Sequence, residues 1–77
     1  MEIITSKINI MKTIIKNLEK QLEKLREFIQ AREDKVDDMS EKWQESEICE
    51  EWMNNTQEIE EQADELEDVI SRLQDLL

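Results

Sequence analysis

Seventy-seven residues allow one small domain at most, and 21 Asp and Glu against 10 Lys and Arg give a net charge of −11. Gly, Pro and His are absent and there is a single Cys. These absences exclude glycine-rich phosphate loops, Ser-His-Asp and Cys-His machinery, His-liganded metal and an internal disulfide. A chain this short buries only ~60% of the surface it exposes when unfolded, so a lone monomer is marginal. No apolar run approaches a membrane span and no signal-peptide core is read. The expectation is a cytoplasmic chain with no membrane partner, no cofactor, no metal site and no catalytic residue.

From the N-terminus, apolar residues recur at Ile4, Ile8, Met11, Ile15, Leu18, Leu22, Leu25 and Ile29, then at Val36, Met39 and Trp43. The steps are four and three in alternation, a heptad repeat interrupted only by Arg32. With Ile8 at position a, Ile15, Leu22, Ile29, Val36 and Trp43 are also a, and Arg32 falls at d. This pattern predicts a first helix over roughly 3–44.

A second series begins at Cys49 and continues through Trp52, Thr56, Ile59, Ala63, Leu66, Ile70, Leu73 and Leu77. Trp43 and Cys49 are both a positions yet lie six residues apart, so the two series differ in phase by one residue, about 100° of helix rotation. A reversal over roughly 44–48 absorbs that mismatch, with Ser46 as N-cap of a second helix over roughly 48–77. One bent continuous helix is the alternative. The predicted fold class is all-α: an antiparallel, coiled-coil-like hairpin that assembles into a helical bundle as a homo-oligomer.

Folding back near residue 47 or 48 makes facing residue numbers sum to about 95. Trp43 then meets Trp52, and Arg32 meets Ala63, the smallest core residue, with Glu or Asp neighbours around its head group. Charge supports this pairing. Residues 1–32 carry seven bases and four acids (+3), and residues 33–77 carry three bases and seventeen acids (−14).

The second helix ends opposite Leu18, so residues 1–17 project beyond it. This overhang holds Ile3, Ile4, Ile8, Ile10, Met11, Ile14 and Ile15. An apolar surface of that extent marks an interface, and Phe28, Val69 and Leu76 at g positions widen it. The expected occupant is a second copy of the chain.

Three charged or aromatic groupings compete for a binding role. Lys12, Lys16, Lys20 and Lys24 form a basic stripe on the first helix. They suit a phosphorylated ligand, but no aromatic is interleaved and neighbouring Glu residues suit solvated ion pairs, so nucleic acid is not favoured. Trp43 and Trp52 flank the turn with Glu45 and Glu51 on its rim, a candidate tip for a protein with a basic surface, against the plainer role of plugging the bundle end. The acidic half as a whole reads as a solubilising face more readily than as a nucleic-acid mimic. Cys49 at an a position reads as packing rather than as a reactive thiol.

The pairs Glu47 with Glu50 and Glu65 with Asp68 resemble the metal-binding signature of all-α nucleoside-triphosphate pyrophosphohydrolases. Both pairs sit on one helix at f, b, c and f, however, and so acid-rich a segment produces such spacing by composition alone. The expected role is a solvated face. The string Ser40-Glu41-Lys42-Trp43-Gln44-Glu45-Ser46-Glu47, with an aromatic at Trp52, is similar to one in small helical phage and prophage proteins, over about residues 32–70. That resemblance implies a viral origin and an accessory role, and a host cytoplasm as the setting; it assigns no activity. The expected function is a non-enzymatic interaction module that blocks or sequesters a host defence component. A purely structural oligomerisation module, or a sponge for a phosphorylated small ligand, is the alternative.

Overall fold

A computed structural model describes the backbone from Glu2 and the side chains from Ser6 to Leu77. Helix α1 runs Glu2–Asp38, a short helix α2 runs Glu41–Gln44, and helix α3 runs Glu47–Asp75. Helix α1 packs against α3 in an antiparallel hairpin, a rod with extents of 64 × 16 × 12 Å.

The reversal differs from the single tight turn expected from the sequence. The first helix stops at Asp38 rather than near residue 44, and α2 fills the interval. Two serines start the new helices. Ser40, in extended backbone, accepts from the Trp43 N–H at 3.3 Å. Ser46 does the same for Cys49 at 3.3 Å and also donates to the Trp43 carbonyl. Each cap satisfies one of the orphan N–H groups of a helix N-terminus.

At the other end of the break, the Gln44 side-chain amide donates to the carbonyls of Val36 at 2.8 Å and Met39 at 3.0 Å. The Val36 carbonyl also accepts from the Met39 N–H at 3.2 Å, so the amide adds a second donor at the end of α1. With that amide in place, no described residue needs a positive φ. This is how a chain without Gly reverses direction.

Packing follows the heptads closely. On α3 the a residues Cys49, Thr56, Ala63 and Ile70 are all buried, Ala63 completely. On α1 the a residues Ile15 and Ile29 are buried, and Leu22 and Val36 are half-buried. The d residues Leu18, Leu25, Met39, Trp52, Ile59, Leu66 and Leu73 are half-buried. A two-helix seam can enclose one row of side chains and only shield the other, since no third element covers it.

The facing register is shifted from the expected one. Arg26 reaches Asp64 and Glu67, and Glu19 meets Gln74. These pairs sum to 90–93 rather than 95, and the contacts of Arg32 sum to 84–88. Arg32 therefore lies against Trp52 and Thr56, not opposite Ala63. The reason is the earlier end of α1: a reversal that begins at Asp38 moves the centre of the hairpin toward the N-terminus.

Candidate functional site

Chain geometry gives the seam two unlike flanks. In antiparallel packing, e positions of both helices share one flank and g positions share the other. On the e flank, the Arg26 guanidinium lies 2.7 Å from Glu67 and 3.3 Å from Asp64, and the Gln74 amide donates to Glu19 at 2.7 Å. On the g flank, Ile14, Phe28, Val69 and Leu76 are all exposed, interspersed with Gln21, Lys35, Asn55 and Gln62. Ile14 is 50% and Phe28 52% accessible, too open for side chains of that size to count as hairpin core.

The g flank continues into the overhang, but the uncovered part is shorter than residues 1–17. Ile15 is buried and Met11 half-buried, because the last turn of α3 reaches this level of α1. Ile8, Ile10 and Ile14 remain exposed. The side chains of Ile3 and Ile4 lie outside the described residues.

Around Arg32 the structure builds a polar layer with neutral partners. Its Nε donates to Thr56 Oγ1 at 2.9 Å, and its terminal nitrogen donates to Asn55 Oδ1 at 3.0 Å and to the Trp52 carbonyl at 3.4 Å. The guanidinium carbon stands 3.8 Å from the centre of the Trp52 ring and 5.8 Å from that of Phe28. Thr56 donates in turn to the Trp52 carbonyl at 2.8 Å, and the Trp52 indole N–H donates to the Arg32 carbonyl at 3.2 Å. The carboxylate neighbours expected for this arginine do not pair with it. Cation–π stacking and hydroxyl and amide acceptors hold it instead, with its plane aimed toward the g flank.

At the tip, Trp43 and Trp52 do face each other, edge to face, with ring centres 6.3 Å apart. Both are half-buried, and Ile48 and Met53 beside them are exposed. Glu45 and Glu51 are exposed on the rim. Trp52 thus serves two arrangements, the tip pair and the Arg32 layer. Its i−4 relation to Thr56, both on the inner face, is a signal in the sequence that a hydroxyl stands ready for an arginine.

The basic stripe is accessible throughout: Lys12, Lys16, Lys20 and Lys24 are exposed, and the salt bridges among the described residues involve Arg26 instead. Glu47, Glu50, Glu65 and Asp68 are exposed as well. Among the described residues no group of three or more Cys, Asp or Glu side chains is placed to hold a metal ion. Cys49 is buried, its thiol 3.9 Å from the Met53 sulfur. No described helix is long and apolar enough to cross a membrane.

The fold and these surfaces define an all-helical antiparallel hairpin with one ionic flank and one apolar flank. No family model matches the chain, and neither a curated protein nor a solved structure does.

Proposed function

We propose that this chain is a non-enzymatic protein-interaction module that self-associates through its apolar flank and overhang. The observation that carries this reading is the exposure of Ile8, Ile10, Ile14, Phe28, Val69 and Leu76 along one side of a hairpin whose other side is closed by polar contacts. A surface of that character lowers its free energy by burial against protein, at roughly 25 cal/mol per Å² of apolar area. Covering it with further helices gives a bundle. The Ser40–Glu47 string supports a phage accessory role within the same reading, in which the module blocks or sequesters a host component.

A second surface supports the host-directed part. Exposed Ile48 and Met53 flank the tryptophan pair, and Glu45, Glu47, Glu50 and Glu51 surround it, a composition that suits a basic protein surface. The test is capture from a bacterial lysate by the full chain and by a Glu45→Lys, Glu51→Lys variant. Loss of the captured protein at unchanged helicity supports the tip as the contact. A chain that recovers only itself, from both baits, leaves the module purely structural. Monomeric behaviour with no captured protein sinks the whole reading.

A further inference from the structure

The apolar flank carries a charge pattern that selects both its occupant and the occupant's direction. The c positions lie beside g on the same side of each helix. From Lys7 to Asp38, the c and g positions of α1 hold three lysines, Lys7, Lys24 and Lys35, and one carboxylate, Asp38 at the helix end. The same positions of α3 hold three glutamates, Glu51, Glu58 and Glu65, and one base, Arg72, all exposed. The chain therefore presents a basic, apolar surface on α1 beside an acidic, apolar surface on α3, and each is the complement of the other.

We infer that a second copy of the chain covers this flank, pointing the same way along the bundle and related by a two-fold axis parallel to it. The inference rests on the self-association proposed above and assigns its geometry. In that arrangement α1 of one copy lies beside α3 of the other, and every neighbouring pair of helices is antiparallel, as in a four-helix bundle. The register of the hairpin then fixes the levels. Residues of α1 and α3 at one level have numbers summing to 90–93. Because the axis runs along the bundle, the same sums hold between copies.

Away from the turn, Ile14 of one copy thus lies level with Leu76 of the other, and Lys24 lies within one residue of the level of Glu65. Elsewhere on the flank Phe28 lies level with Gln62 and Val69 with Gln21, and at its margin a lysine meets a glutamate. The opposite choice, two hairpins face to face and pointing in opposite directions, sets α3 against α3. That would place −14 halves side by side, at a cost in like-charge repulsion.

The overhangs give the same answer. In the same-direction assembly both project from one end, where each can cover the other. Among the described residues of each overhang, the uncovered heptad residue is Ile8 at a. β-Branched residues at a favour a parallel two-stranded coiled coil. The exposure of Ile8 is what one strand of such a pair shows when viewed alone.

The decisive experiment measures the distance between copies in the full chain. A Cys49→Ala background carrying Ser6→Cys, at the outward f position of the overhang, is spin-labelled on both protomers. Same-direction packing places the labels within about 25 Å, by the lateral spacing of a helix bundle plus the label arms. Opposite-direction packing separates them by more than about 40 Å, from the rise per residue along α1. The longer distance overturns the inference and leaves self-association standing. Sedimentation at about 10 µM shows a dimer if the Kd is micromolar or tighter. A monomer there overturns both.

Charge exchange checks the pairing independently. Lys24→Glu alone and Glu65→Lys alone should each weaken the dimer several-fold, and the double variant should recover most of the loss. Additive weakening in the double variant counts against the level assigned to these residues, and hence against the arrangement. All four proteins should keep the near-ultraviolet circular dichroism of the Trp43–Trp52 pair, since neither charge touches the hairpin seam.

Discussion

Along the e flank, Arg26 reaches Asp64 and Glu67 and Gln74 reaches Glu19, whereas the g flank presents Ile14, Phe28, Val69 and Leu76 to solvent. Both flanks border the same buried row and are equally distant from the helix axes. Only residue type separates them. Polar groups at e find partners across the seam at little desolvation cost, and exposed ion pairs of this kind contribute about 0.2–1 kcal/mol. Apolar groups at g gain nothing from that geometry until something covers them. The e flank therefore adds polar contacts across the seam, and the g flank leaves its apolar groups exposed.

The sharpest way to break this contrast is through the row that both flanks share. Ile29 is buried between them, and Ile29→Ala should lower stability by about 2–5 kcal/mol. Urea denaturation at fixed protein concentration measures it, because mass action makes the stability of any assembly depend on concentration. A loss below about 1 kcal/mol would mean that the seam collapses around the gap and that Ile29 is not core.

A smaller effect is expected at Arg32, where the buried row turns polar. Arg32→Ala removes the stacking on Trp52 and the bonds to Thr56 and Asn55, for a loss of about 1–3 kcal/mol. Arg32→Lys should restore only part of it, since an ammonium group reproduces neither the planar stacking nor the divergent N–H directions. Trp52 fluorescence reads the same change locally, and full recovery by lysine would contradict the stacked geometry.

The smallest effect belongs to the e flank itself. Arg26→Ala should cost less than about 1 kcal/mol, and the cost should shrink as salt is added. Reversal of Phe28 to a charged residue makes the complementary comparison. Phe28→Lys should cost the isolated hairpin no more than its contact with Arg32, about 0.5–1 kcal/mol at an exposed site. It should weaken association by tenfold or more, on the order of 1.4 kcal/mol. Equilibrium sedimentation beside thermal melting separates the two outcomes. If Phe28→Lys lowers hairpin stability more than Arg26→Ala while leaving association intact, the roles assigned to the flanks are reversed.

The heptads predicted the helical stretches and the inner-face residues Ile15, Ile29, Cys49, Thr56, Ala63 and Ile70, because a period of 3.5 leaves only one stripe on each helix that can be buried. The phase slip between the two series favoured a reversal, with the meeting of Trp43 and Trp52, over one bent helix. Ser46 as an N-cap was legible for the same local reason: a side-chain oxygen three residues ahead of an unpaired N–H needs no distant partner. What the sequence left open was decided across the fold. The end of α1 at Asp38 depends on the Gln44 amide reaching back to the Val36 and Met39 carbonyls, and on Ser40 starting a separate turn. Once the break moved, the register moved with it, and Arg32 came to rest on Trp52 and Thr56 instead of opposite Ala63. The burial of Ile15 follows from how far α3 reaches along α1, a distance that only the closed hairpin fixes. Local propensity and periodicity act within a turn or two of helix, and facing register is set by the sum of every contact along the seam.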